Sequence, residues 1–329
     1  MLSSWLVATL ILAGDAPTAE PGVRPVVVPS ELAALTSNPE FSGIVWSQNW
    51  KRYLVVTDDS GLRENGTNHQ PLVLGLSEDG SLDKSPILIR GVERINDPES
   101  ICAGPEGSYF LVTSHSPNHA NKTTAIRRQL LQLREVRHTL EVIGRLDLTN
   151  IKGDRSLLSL AGLPQEGRLD IEAVTYRDGA LFIGFKSPLT VDGQAVVVRL
   201  TDPLKAMRKG YLEAEAIKRF VAVPLCVDVR GNRVCQGVSD MLFLPDGSLV
   251  LSANAPKGGP KDHGGALWHL PGPVGKTPPI QLRRFPDLKP EGVTLSPSGR
   301  SLVIVFDCDQ SQPKWTEVPL PGTPKAAGQ

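Results

Sequence analysis

What this 329-residue chain lacks removes whole classes of function. It lacks a surplus of either charge: 35 basic and 35 acidic side chains cancel. A general nucleic-acid binder needs a basic excess to neutralise phosphates, so no nucleic-acid partner is expected. The apolar run in the first 14 residues is too short to cross a bilayer and no other segment could, so no stable membrane span is expected. Only four cysteines and six histidines are present, and no two pairs have the spacing of a zinc site. No G-x-S-x-G elbow occurs, so Ser114 and Ser116 beside His115 make no triad. Gly258-Gly259 and Gly264-Gly265 have no phosphate-loop pattern around them and read as flexible loop. Long helices have little room, because prolines recur at loop edges throughout. One helix is expected, near Asp202–Gly210.

What is present is the composition of a soluble globular protein, 40% hydrophobic and 21% charged. Residues 1–20 hold a short apolar run that suits a signal-peptide core, which implies a secreted or periplasmic protein. Against that reading, no Lys or Arg precedes the run and no clean cleavage site follows it. Residues 21–320 are expected to form one domain, and 321–329 a disordered tail. Cys226 and Cys235 flank a turn at Arg230-Gly231-Asn232, so a hairpin would bring the thiols face to face as a disulfide. Cys102 and Cys308 lie in apolar strand patterns, where buried free thiols are the plain expectation. Asn65-Gly66-Thr67 and Asn121-Lys122-Thr123 are glycosylation sequons, informative only in a host that uses them.

Five segments share one pattern: a short apolar strand, a turn, then a stronger apolar strand. The first strands start at Phe41, Pro98, Asp170, Gly237 and Pro290; the second strands start at Tyr53, Tyr109, Ala180, Ser248 and Ser301. Four of the five turns contain Gly, in Pro-x-Gly or Asp-Gly contexts that favour hairpins; the exception is Gln48-Asn49-Trp50. Two further apolar strands follow in the first four segments. The fifth has only Trp315–Val318, and Val23–Val28 is the spare strand that would complete it. The pattern predicts an all-β fold, a β-propeller of about five four-stranded blades with six possible, its ring closed by an N-terminal strand. A β-sandwich is the competing architecture, but it gives no reason for a fivefold repeat.

The third segment carries further detail. Asp170-Ile171-Glu172, Asp178-Gly179, Leu181–Gly184, Lys186-Ser187-Pro188 and Gly193-Gln194-Ala195 resemble a bacterial β-propeller family called domain of unknown function 3616. That family is similar to phytase-like and esterase-like propellers. Ser114-His115-Ser116 and Pro290–Val293 also match, while Ala173 and Lys186 depart from the family's usual Gly and Arg. Lys keeps the charge but not the two-pronged hydrogen bonding of Arg. The resemblance implies the propeller fold and no particular activity.

In a propeller, the start of each first strand and the end of each second strand meet at one mouth of the channel. This would gather Ser42, Glu99, Glu172, Asp240 and Glu291 with Asp58, Asp59, His115, Lys186, Asn254, Asp307 and Asp309. Three readings stay open. Crowded carboxylates need a cation or raised pKa values, and the oxygen donors Glu99, Glu172, Asp240, Glu291, Asp58, Asn254 and Asp307 suit Ca²⁺ or another divalent cation. A bound cation could polarise a phosphoester or ester, with His115 or Glu172 as general base and Lys186 steadying negative charge. Alternatively the mouth binds a small molecule or a protein without chemistry, or the glutamates only hold blades together. His263 could reach the same mouth, with exposed loop the plainer reading. The chain is expected to be a monomer with a small-molecule ligand or substrate.

Overall fold

The computed structural model describes residues 22–36, 39–58, 69–118, 120–256, 264–308 and 311–320. The expected signal segment and tail, Asp59, Asp309, His263, Gly258-Gly259 and the sequon at Asn65 lie outside the described residues.

Strands dominate and come in fours. β1 (Arg24–Pro25) and the short helix α1 (Ser30–Leu35) precede the first unit, β2 (Phe41–Ser47), β3 (Arg52–Thr57), β4 (Leu72–Leu76) and β5 (Ile87–Arg90). The second unit is β6 (Pro98–Ala103), β7 (Ser108–Thr113), β8 (Leu130–Val136) and β9 (Thr139–Leu146). After α2 (Leu157–Ala161) comes the third: β10 (Asp170–Arg177), β11 (Ala180–Ser187), β12 (Ala195–Thr201) and β13 (Ile217–Val223), with α3 (Pro203–Lys209) between the last two. A hairpin, β14 (Cys226–Val229) and β15 (Asn232–Cys235), leads to the fourth: β16 (Gly237–Phe243), β17 (Leu249–Asn254), β18 (Gly265–Leu270) and β19 (Ile280–Phe285). The chain ends its described part with β20 (Lys289–Leu295), β21 (Ser301–Asp307) and β22 (Lys314–Pro319).

Each unit is an antiparallel meander, and β1 adds to β22 through Arg24↔Trp315 and Pro25↔Lys314. The first strands pack side by side in a cycle: β2 on β6, β6 on β10, β10 on β16, β16 on β20 and β20 on β2. Apolar layers fill the gaps between neighbouring sheets. Phe110 and Leu130 meet Ile183 and Val196; Phe182 and Val197 meet Met241 and Leu251; Phe285 meets Phe306; Val305 and Trp315 meet Ile44 and Val55; Leu54 and Val56 meet Leu111 and Leu131. This explains why the strands alternate so weakly in hydropathy: a sheet covered on both faces needs apolar residues on both. Gly43 marks how closely the first strands approach, since a Cβ there would lie 2.7 Å from Cα of Ser100. The architecture is all-β and that of a β-propeller.

Three details differ from expectation. The N-terminal strand is shorter than Val23–Val28. Pro25 has no N–H to continue the ladder, and Val27 leaves for the first unit, bonding Gly80 and Leu82. β5 pairs in parallel with β9, so the first two units form one eight-stranded sheet. Two short helices, α1 and α2, join the expected α3, which Asp202 caps by accepting the Lys205 N–H. Cys226 and Cys235 form the expected disulfide, and neither Cys102 nor Cys308 is disulfide-bonded; Cys102 is buried as expected, but Cys308 lies just past β21 and is only half-buried. No helix among the described residues is long and apolar enough to cross a membrane.

Candidate functional site

A single local irregularity recurs in every unit and builds the site. Each first strand carries a β-bulge opposite its second strand, and the unpaired residue is Ser42, Glu99, Glu172, Ser239 or Glu291 in turn. A bulge breaks the ladder for one residue and re-aims its side chain. Five equivalent positions therefore hold three glutamates and two serines, and all five are buried.

Two of the glutamates converge with an aspartate. Carboxylate oxygens of Glu99, Asp170 and Glu172 all lie within 4.8 Å of one another. Asp170 was not picked out as a site residue from the sequence. The signal was available, because Asp170 and Glu172 are two apart on a strand and so share a side. Lys186 completes the group: its Nζ donates to Glu172 Oε2 at 2.7 Å and to Glu291 Oε1 at 3.1 Å. Of the four buried carboxylates, Glu172 and Glu291 thus hold the one ammonium directly, and Glu99 and Asp170 lie near enough to act on it through their charge. Nearby Asp97 has its own cation, Arg127.

The electrostatics follow. Burial raises the Glu99 pKa well above the ordinary glutamate value, and the charges of Glu172, Asp97, Asp58 and Asp170 add to the rise. Burial also raises Glu172, against the opposing pull of Lys186. Burial works against the Lys186 ammonium, but Glu172, Glu291, Glu99 and Asp170 outweigh it and hold its pKa well above the usual lysine value. Glu99 is the residue left over. It is 5% exposed, and its carboxylate makes no hydrogen bond or ion pair with any described residue.

The other expected residues are placed differently. Asp240 sits one residue past the bulge, so Ser239 takes the ring position and Asp240 becomes a strut. Its Oδ1 accepts from Ser100 Oγ at 2.8 Å and its Oδ2 from the Val293 N–H at 2.9 Å, tying the second, fourth and fifth units. Burial raises its pKa despite those bonds. Asn254 is a strut between the fourth and fifth units, donating to Ser239 Oγ at 2.9 Å and to the Pro290 carbonyl at 3.0 Å. Asp307 pairs with Lys289 at 2.9 Å. Asp58, the residue after β3, is close enough to Glu99 to raise its pKa.

His115 is outside the cluster, with both ring nitrogens occupied. Nδ1 lies 2.7 Å from the Thr113 carbonyl, and Nε2 accepts the Leu148 N–H at 3.3 Å. That pairing fixes the neutral ring, and burial lowers its pKa to about 4. The residue at the second-strand position of this unit is Ser114, which accepts from Arg127. As a base, His115 would have to break its bond to the backbone first.

What the donor set suits is a hard cation: three carboxylates from two strands, one of them with no hydrogen bond or ion pair among the described residues, next to a lysine that already serves Glu172 and Glu291.

No protein-family model and no curated protein matches the chain. Among solved structures it is similar to an exo-β-1,3-galactanase of Phanerochaete chrysosporium in complex with β-1,3-galactotriose, at 8% identity and a TM-score of 0.50, covering 91% of this chain and 63% of that one. It is also similar to an endo-arabinase of Bacteroides thetaiotaomicron, at 15% identity and a TM-score of 0.49, covering 90% and 98%. A gluconolactonase of Xanthomonas campestris aligns at 14% identity and a TM-score of 0.40, covering 93% and 90%. The resemblance read from the third segment is supported only as far as architecture, and no family model confirms it.

Proposed function

We propose that the protein is an exported, divalent-cation-dependent hydrolase of a small ester or phosphoester, built on a ring of five blades that β1 closes. The observation that carries this reading is Glu99, a buried carboxylate with no hydrogen bond or ion pair among the described residues, facing Asp170 and Glu172. An ionised carboxylate in that setting is costly unless a cation or a proton answers it. Glu99, Asp170 and Glu172 would hold the cation, which when bound would supply Lewis-acid polarisation of the substrate oxygen. Burial raises the Glu172 pKa above the ordinary glutamate value, so this carboxyl holds a proton more readily than a free glutamate does. Lys186, held by Glu172 and Glu291, keeps a fixed positive charge at the site where negative charge develops. Bulged positions on packed strands suit this work, because rigid backbone holds the groups in place. The disulfide between Cys226 and Cys235 and the apolar start of the chain support export. The protein works as a monomer on a small molecule.

One observation favours a non-catalytic ligand-binding propeller instead: Lys186 is already matched by two carboxylates, and Asp240 and Asn254 hold blades together. Turnover decides between the two. Purified protein is assayed on p-nitrophenyl acetate and p-nitrophenyl phosphate with Ca²⁺, Mn²⁺ or Zn²⁺, before and after chelation. Chelator-sensitive hydrolysis lost in Glu99→Gln supports the hydrolase. Calorimetric cation binding without turnover supports the binding module, and neither turnover nor cation binding removes the cation site altogether.

A further inference from the structure

The first strand of each unit begins at the acidic mouth and ends in a turn at the opposite end of the channel. In the first unit this turn differs from the other four in having no glycine, and Lys51 takes the left-handed region at φ 53°, as Glu106 and Asp178 do in two of the others. Such a conformation is uncommon for a residue with a side chain. The turn presents Trp50, and a network of five side chains holds it. Glu135, on β8 of the second unit, accepts from Ser47 Oγ at 2.5 Å, Tyr109 Oη at 2.6 Å and Asn49 Nδ2 at 2.8 Å. Ser47 Oγ accepts the Trp50 N–H at 3.0 Å, Arg52 Nε donates to the Trp50 carbonyl at 3.2 Å, and the indole N–H donates to the Arg137 carbonyl at 3.1 Å. The indole is therefore fixed at its backbone and at its ring.

Trp50 packs against the apolar layer between the first two units and also lines a cavity of about 420 Å³. Arg52, Asp83, Ser85 and His138 line the same cavity. Arg52 and Asp83 are ion-paired, so the wall carries hydrogen-bonding capacity with its charges balanced.

We propose that this cavity binds a neutral pyranose ring. A sugar ring has two chemistries at right angles: a C–H face that packs on an aromatic surface, and an edge of hydroxyls that each donate and accept. Trp50 offers the first surface. Around it Arg52 donates, Asp83 accepts, and Ser85 and His138 do either. The balanced Arg52–Asp83 pair favours an uncharged ligand over an acidic one. The cavity lies within the size range of small-ligand sites, and its locked aromatic removes ordering cost on binding. The proposal is independent of the cation site, which lies at the other mouth.

Saturation-transfer NMR and calorimetry with lactose, cellobiose and maltose, in the presence of chelator, test it. At least one of the three is expected to bind the unaltered protein at about millimolar strength. Trp50→Ala should weaken that sugar about tenfold or more, and Trp50→Phe, which keeps an aromatic face, should largely retain it. His138→Ala alters an exposed side chain, and severalfold weakening there supports the site even if Trp50→Ala fails to fold. If none of the three sugars saturates the unaltered protein, or if the folded Trp50 and His138 variants bind them unchanged, the proposal is wrong.

Discussion

Replacing Glu99 with glutamine keeps the size of the side chain and removes its charge. The structure sets the scale of the effect. At 4.8 Å and an effective dielectric of about 20, two ionised carboxylates repel by about 3.5 kcal/mol. Glu99 faces two, Asp170 and Glu172, so full ionisation would cost about 7 kcal/mol before any return from Lys186. The cation-free fold avoids this by keeping a proton. Above the ordinary glutamate value of 4.5 the unfolded chain gives that proton up while the fold retains it. The folded state then binds more protons than the unfolded one, so stability falls as pH rises until the folded pKa is passed. Glutamine has no such loss. Without divalent cations, Glu99→Gln should be the more stable protein at pH 8, by about 2 kcal/mol or roughly 4 °C in Tm, and the gap should close towards pH 5. Adding cation at a hundredfold excess over Kd should stabilise the unaltered protein by about 2.7 kcal/mol and the variant far less, reversing their order. Differential scanning calorimetry at several pH values, with and without Ca²⁺ or Mn²⁺, measures both effects. Identical melting curves for the two proteins at every pH, together with no cation-induced shift, would refute the reasoning.

Other perturbations bear on the same frame. Lys186→Met strands Glu172 and Glu291 without their cation and should cost about 3–5 kcal/mol in urea unfolding, whereas Lys186→Arg should cost less. The His115 ring, with its pKa lowered to about 4, contributes stability that is present above pH 6.5 and lost as pH falls towards 4, about 3 kcal/mol in all; its NMR signals should not titrate between pH 6 and 8. Asp240→Ala leaves the Val293 N–H and Ser100 Oγ unanswered in a buried place and should cost about 2–4 kcal/mol, with Asp240→Asn milder, as read by chemical denaturation. Cys226→Ser with Cys235→Ser opens a loop with a sequence separation of 9 and should lower stability by about 2.5 kcal/mol; equal melting of the oxidised protein and the double variant would count against a structural role.

The repeat was legible because a sheet packed on both faces forces apolar strands and leaves Gly, Pro and Asp at the turns. Phe306 beside Phe285, or Val305 beside Ile44, can be read as core from strand pattern alone. The parallel pairing of β5 with β9 could not be read, since the outer strands carry no pattern that names a neighbour. The shortening of the N-terminal strand could have been read from Pro25, which cannot donate to a ladder.

The site was legible in kind but not in frame, and the reason is the bulge. Period-two alternation assigns every residue of a strand to one side, so Asp240 was grouped with Glu99 and Glu172 by its charge and approximate place. A bulge inserts one residue and shifts the assignment for everything beyond it. Aligned on the bulge, Asp240 matches Ser100 and Ala173, and it is Ser239 that matches Glu99 and Glu172. The same alignment exchanges His115 for Ser114. Charge alone therefore overstates the ring. What stays at the channel mouth is an acidic group on the second, third and fifth units, answered by one lysine and facing two serines. That asymmetry is itself informative. A ring that served only to hold five sheets together would have no need to place its acids on three units and leave one of them, Glu99, without a hydrogen bond or ion pair among the described residues.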